Sequence, residues 1–183
     1  MALPKEHMDT SEDYWNLPDG QRAELIDGRL YGMAPPNYIH QRLVSQLTRI
    51  IGNYIADQGG SCEVIPAPFA VNLHADEKTW VEPDISVICD SSKLSERGCE
   101  GPPDWIIEVV SPSSMRNDYI TKLFQYRRAK VREYWIVNPS DCTVFVYRLA
   151  ESKFENISYS FHERIQAGIY EDLFISLKDF GQK

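Results

Sequence analysis

Asp104-Trp105-Ile106-Ile107-Glu108-Val109-Val110-Ser111 is a short apolar run, rich in β-branched residues, with one carboxylate near its middle. A continuous run of this kind is what a strand buried on both faces looks like. Left unpaired there, Glu108 would forfeit several kcal/mol of hydration or be forced to take up a proton. A carboxylate retained in such a place has a partner: a metal ion, a cation or a reacting proton. Asp84, in the preceding run Trp80-Val81-Glu82-Pro83-Asp84-Ile85-Ser86-Val87-Ile88, poses the same question. Two carboxylates on neighbouring strands of one sheet are close enough to share a divalent cation.

Working outward, Pro112 stops the Glu108 strand, and residues 117–130 follow as a helix. Its inner stripe is read as Ile120, Leu123 and Phe124, with Tyr126 or Arg127 at the margin. Residues 133–138 form the next strand, so 104–138 is a strand–helix–strand passage of the kind that joins parallel strands by a right-handed crossover. Residues 142–149 and 154–159 make a hairpin, and the apolar tail 169–180 packs on the body. Upstream, residues 12–16 form a short helix, and 22–26 and 29–33 form a hairpin around the turn signal Asp27-Gly28. Asn37 caps a long amphipathic helix over 38–57, with Leu43, Leu47, Ile50, Ile51, Tyr54 and Ile55 along one face. Residues 62–73 are extended, with Pro66 and Pro68 marking an edge or a bend. Residues 80–88 read as one strand and 90–103 as a polar loop. The fold class expected is α/β of a mixed α+β kind: a mixed central β-sheet flanked by a helix on each side, with an N-terminal β-hairpin.

The 183 residues make one domain with room for a real core. No apolar run approaches the roughly 20 residues needed to span a bilayer, and residues 1–10 lack the apolar centre of a signal peptide. A cytoplasmic protein without a membrane partner is expected. The four cysteines, Cys62, Cys89, Cys99 and Cys142, show no C-x-x-C pair and are read as reduced thiols. The net charge of −8 speaks against coating of duplex nucleic acid by bulk electrostatics. The distribution is uneven, however. Residues 116–132 hold six basic side chains against one acid, a local +5 that leaves −13 on the remainder. That helix is either a phosphate-binding surface or a solvated face.

Magnesium and manganese take oxygen ligands, commonly one or two carboxylates completed by water and phosphate. Asp84 and Glu108 fit that need, and the Val109 carbonyl is a candidate third ligand. A lysine would complete such a site. Lys122 lies at the edge of the helix stripe, one turn from Tyr119 and Tyr126, and can reach back over the Glu108 strand. Arg116 and Arg127 are candidates for holding flanking phosphates. The alternatives are ordinary: Asp84 capping its strand, Glu108 in an ion pair with Lys122 or Arg116, and Lys122 on a solvated helix face.

Glu82-Pro83-Asp84, the stretch Pro103 to Ser114, the spacing Asp118…Lys122…Tyr126 and Val131 to Val137 together resemble the Uma2 family (DUF820) of the PD-(D/E)XK nuclease superfamily. Glu24 to Gly28 resembles the family's opening hairpin, and His40 lies in its first long helix. The resemblance implies a restriction-endonuclease-like core and Mg²⁺-dependent (or Mn²⁺-dependent) hydrolysis of phosphodiester bonds in DNA. Asp84, Glu108 and Lys122 would be the catalytic set, with Glu24, His40 and Gln125 auxiliary. A homodimer is expected, because cutting both strands of a duplex needs two sites. One position departs from the superfamily pattern: Val110 stands where the lysine two residues after the glutamate belongs, so the lysine has moved to Lys122. Glu24 otherwise reads as an exposed strand residue or an arginine partner, and His40 as a satisfied histidine. Two other functions fit the same residues. One is a weak or inactive nuclease-like module that binds nucleic acid or a protein. The other is a hydrolase of another phosphate ester.

Overall fold

A computed structural model describes residues 8–111, 114–149 and 154–180. Pro112, read as the strand stop, lies outside the described residues. The apolar run becomes a strand, Trp105–Val109, that is buried along its whole length. We number the strands β1 Ala23–Ile26, β2 Arg29–Gly32, β3 Glu63–Pro66, β4 Val71–Asn72, β5 Trp80–Val81, β6 Ile85–Ile88, β7 Leu94–Ser95, β8 Gly98–Glu100, β9 Trp105–Val109, β10 Glu133–Asn138, β11 Thr143–Arg148, β12 Glu155–Ser160, β13 Ile165–Gln166 and β14 Phe174–Ile175. The helices are α1 Ser11–Trp15, α2 Tyr38–Asp57 and α3 Leu123–Arg128.

The central sheet runs β12-β11-β10-β9-β6-β3. β9 and β10 pair in parallel, and the other neighbours are antiparallel. Strand alternation divides β9 between two cores. Trp105, Ile107 and Val109 pack with Leu43, Leu47 and Ile51 of α2 and with the tail residues Leu173, Ile175 and Leu177. Ile106 and Val110 pack on the other side with Tyr126, Ala129 and Val131. The expected helix on each side of a mixed sheet is therefore present, and the tail packs as expected. Among the described residues, no helix is long and apolar enough to cross a membrane.

One sheet does not account for all the strands. A second sheet runs β2-β1-β5-β4-β8-β7, and β13 and β14 form a separate ladder. The run 80–88 is two strands, not one. Pro83 has no N–H to donate, and Glu82 is held aside by Tyr14 Oη (3.0 Å) and by Arg22 Nη2 (2.6 Å). The chain leaves the second sheet after Val81 and enters the central sheet at Ile85, which places Asp84 at the crossing. The polar loop 90–103 also needs correcting, since it contains the β7–β8 hairpin. Gly98 takes φ +139° there, and a Cβ would overlap the Ala70 carbonyl. Gly98→Ala is expected to cost about 3 kcal/mol of stability through strain and overlap, measured as a lower urea midpoint.

The cysteine reading is likewise corrected. Cys62 and Cys89 flank the β3–β6 ladder on opposed strands and are joined as a disulfide, while Cys99 and Cys142 are free. The two are 27 positions apart, so no local motif announces their pairing.

Candidate active site

Pairing of β6 with β9 sets Ile85 opposite Ile107, so Asp84 and Glu108 are the next residues along the same ladder. Each braces the other's strand. The Val109 N–H donates to Asp84 Oδ2 (2.8 Å), and the Asp84 N–H donates to Glu108 Oε2 (3.2 Å). His40, in the first turn of α2, places Nε2 3.1 Å from Asp84 Oδ2. Asn37 caps that turn by accepting from the His40 N–H. The histidine is thus brought to the site rather than left at the surface.

The helix after β9 supplies the rest, and its facing corrects the expected inner stripe. Leu123 packs on the core as expected, but Ile120 and Phe124 are 63% and 62% exposed, whereas Asp118, Lys122, Gln125 and Tyr126 are buried. Asn117–Lys122 is wound as π-helix before α3 begins. Such a turn changes which side chains share a face, and π-turns are frequent at functional sites. Polar side chains share the inward face with Leu123 and Tyr126 because their partners are charged. Lys122 Nζ lies 2.9 Å from Glu108 Oε1, 2.9 Å from Glu24 Oε1 and 3.5 Å from Asp118 Oδ1. Tyr126 donates its hydroxyl to Glu108 Oε1 at 2.7 Å. Lys122 is therefore no solvated helix lysine, and Glu24 is no exposed strand residue. Glu24 is buried in β1 and also accepts the Glu82 N–H at 2.9 Å.

Gln125 stands beside the cluster. Its amide donates to Asp27 at the tip of the β1–β2 hairpin, and its carbonyl oxygen lies 3.1 Å from His74 Nε2. It ties the hairpin that carries Glu24 to the helix that carries Lys122. Arg116 and Arg127 remain at the surface, outside the cluster. Val110, which stands where the resemblance would have put a lysine, is core. Sequence reasoning did not single out Asp118 as a site residue, although the 118–122–126 spacing already places it on the Lys122 face.

Electrostatically the cluster has more acid than base. Glu24, Asp84, Glu108 and Asp118 face Lys122 and, when protonated, His40. Burial pushes the Glu108 carboxyl well above the carboxylate range against the pull of Lys122, and Asp84, Asp118 and Glu24 push it the same way. Burial raises Asp118 too, again against Lys122. Burial alone would lower the Lys122 ammonium, but Glu108 and Glu24 outweigh it and hold it well above the lysine range. His40 is raised by Asp84 against the lowering effect of burial. Burial is the first cause for the two acids and the neighbouring carboxylates add to it, while carboxylates are what raise Lys122 and His40, so the site is short of positive charge.

That shortage is what a divalent cation would relieve, and hard oxygen donors suit Mg²⁺ or Mn²⁺. Among the described residues no three His, Cys, Asp or Glu side chains converge as a metal-binding group. The donor set that fits is therefore two carboxylates, with water, backbone oxygen and phosphate to complete it. A cleft of about 490 Å³ lined by Trp15, Asp76, Trp80 and Arg97 includes none of these residues.

Comparison with known proteins bears on the fold and on the family. An uncharacterized protein from Synechocystis sp. (strain PCC 6803) is 24% identical over 139 residues, covering 74% of this chain and 72% of its own length. The crystal structure of "a putative nuclease belonging to DUF820" from Anabaena variabilis superposes with a TM-score of 0.74 at 22% identity, over 94% of this chain and 97% of that one. At that identity the likeness shows a shared fold. The model of the Uma2 family, described as "Putative restriction endonuclease", matches residues 11–176. With that match running over nearly the whole length, the chain belongs to the Uma2 family.

Proposed function

We propose that this protein is a Mg²⁺-dependent (or Mn²⁺-dependent) endonuclease that hydrolyses phosphodiester bonds in DNA. The observation that carries the reading is the buried Glu108–Lys122 contact at 2.9 Å beside Asp84, in a cluster short of positive charge. Asp84 and Glu108 would hold the metal, with the Val109 carbonyl as a third ligand. When bound, the ion supplies a Lewis acid that acidifies water and neutralises charge on the phosphodiester. Lys122 would orient an attacking water or a phosphoryl oxygen, and His40 and Tyr126 fix the two carboxylates that accept from them. Glu24 and Asp118 keep the lysine charged, and Gln125 keeps hairpin and helix in register. Arg116 and Arg127 hold flanking phosphates, and a homodimer would present a second site to the other strand.

The test is cleavage of supercoiled plasmid and of single-stranded DNA by the purified protein. Nicking that requires Mg²⁺ or Mn²⁺ and stops with EDTA is expected. No cleavage of either substrate by a folded, metal-binding protein would turn the reading toward another phosphate ester. The burial of Val110 and the capture of Lys122 by three carboxylates favour a second reading, a nuclease-like module that binds nucleic acid or a protein without cutting. That reading requires binding that needs no metal; if nucleic acid is the partner, the binding also weakens with salt.

A further inference from the structure

We propose that the outward face of the helix carrying Lys122, where Ile120 and Phe124 stand exposed between arginines, is a stacking platform for unpaired bases of single-stranded DNA. This rests on the reading of the protein as one that acts on DNA, and adds how a strand is held beside the site.

The face is unusual for a helix packed on a sheet. Its inward side sets Asp118 and Lys122 beside Leu123 and Tyr126, which pack on the core, while Ile120 and Phe124 stand 63% and 62% exposed on the outward side. Phe154, 50% exposed, extends the surface, and the Arg127 guanidinium sits over its ring at 4.9 Å. Arg116 lies one turn before Ile120, and Arg127 and Arg128 lie one turn after Phe124; all three are exposed. Arg128 is also 3.5 Å from Asp27, both largely in solvent, a contact too exposed to withdraw it from other anions.

Charge selects the occupant. The segment 116–132 carries +5 on a body carrying −13, so the patch complements a polyanion. A second copy docked about a two-fold axis would set the same patch against itself, arginine facing arginine. The exposed rings select unpaired bases over a duplex. A duplex buries the faces of its bases in the stack and offers a side chain only edges and phosphates, whereas every unstacked base offers a π face. Phe124 would receive a base face while Arg116, Arg127 and Arg128 pair with phosphates, Arg127 from its place over the Phe154 ring.

The experiment is fluorescence anisotropy of the full chain with labelled oligo-dT, with a hairpin duplex of equal length, and with an abasic oligomer carrying the same phosphates, all in EDTA so that cleavage is silent. Phe124→Ala is expected to weaken oligo-dT binding about tenfold or more and to leave duplex binding within about twofold. Wild type is expected to bind the abasic strand as weakly as Phe124→Ala binds oligo-dT. Phe124→Trp is expected to keep the affinity and to lose indole emission when oligo-dT is added. The side chain is on the surface, so thermal melts of the variants should match wild type. Equal oligo-dT affinity of Phe124→Ala and wild type would overturn the proposal, as would no DNA binding at all. Conversion of a dimer to a monomer by Phe124→Ala in sedimentation velocity would overturn it too, by identifying a second copy as the occupant. Phe124-dependent binding without cleavage in Mg²⁺ would keep this inference and remove the nuclease reading. Cleavage with no role for Phe124 would do the reverse.

Discussion

Glu108→Gln is expected to lower metal-dependent cleavage of plasmid DNA by about a thousandfold or more, the scale for removing a preorganised charge from a dry site. The carboxylate works on both of its oxygens. Oε1 accepts from Lys122 Nζ and Tyr126 Oη, and Oε2 accepts from the Asp84 N–H. A glutamine keeps the shape but accepts on one side only, so its NH₂ must face a donor and the anion is gone. One mismatched buried contact costs roughly 1–3 kcal/mol, partly offset because the site is already over-supplied with negative charge. The variant should therefore fold, with a circular dichroism melt only a few degrees below wild type, and should bind Mn²⁺ more weakly by calorimetry. Cleavage at the wild-type rate would remove Glu108 from the metal site and end the nuclease reading as stated.

Lys122→Met is expected to abolish cleavage and, unlike Glu108→Gln, to destabilise the fold by about 3–5 kcal/mol at neutral pH, the cost of leaving a buried charge without its partner. Three buried carboxylates, Glu24, Glu108 and Asp118, would lose the cation they share. The pH dependence identifies the cause. Glu108 and Asp118 already have folded-state pKa values raised above the ordinary 4.5 and 3.8. Their contribution is most favourable below those ordinary values and is lost as pH rises through the raised ones. Removing Lys122 raises them further. The penalty should therefore be small in urea melts at acid pH and grow toward pH 8, with EDTA present throughout. A penalty that does not change with pH would mean that the loss is one of packing rather than of charge.

The contrast between these variants rests on how little of the cluster is local. Asp84 and Glu108 could be paired from sequence because two apolar runs, each interrupted by a carboxylate, read as neighbouring strands, and the β6–β9 register bears that out. The hairpin at Asp27-Gly28 was legible for a similar reason. Both residues take positive φ, 48° and 74°, the backbone that a two-residue hairpin turn demands. The long helix was legible from the spacing of Leu43, Leu47, Ile51 and Ile55, which are all buried.

Other features were misread for physical reasons that can be named. Helical periodicity locates an apolar stripe and assumes that it faces the core. In the helix after β9 that assumption fails for Ile120 and Phe124, because Lys122 is the side chain turned inward, onto the buried Glu24 and Glu108, and the π-turn resets the face. Glu24 looked like a surface strand residue because nothing near it in sequence is its partner; Lys122 is 98 positions away. The Cys62–Cys89 bond and the break at Glu82-Pro83-Asp84 are of the same type, each depending on which strand lies alongside.

The sequence by itself determined most of the elements, the buried strand within 104–111, the mixed sheet between helices, and the residues Asp84, Glu108 and Lys122 as the ones to watch, because hydrophobic period, turn chemistry and the expense of a buried carboxylate are local properties. Only the tertiary structure decided that the strands divide into two large sheets and a small ladder, that Glu24, Asp118, His40 and Tyr126 close around those three residues, and that the helix turns Ile120 and Phe124 to solvent. Those outcomes depend on contacts between residues far apart in the chain, and neither the direction of a helix face nor the partner of a buried charge is written in any single segment.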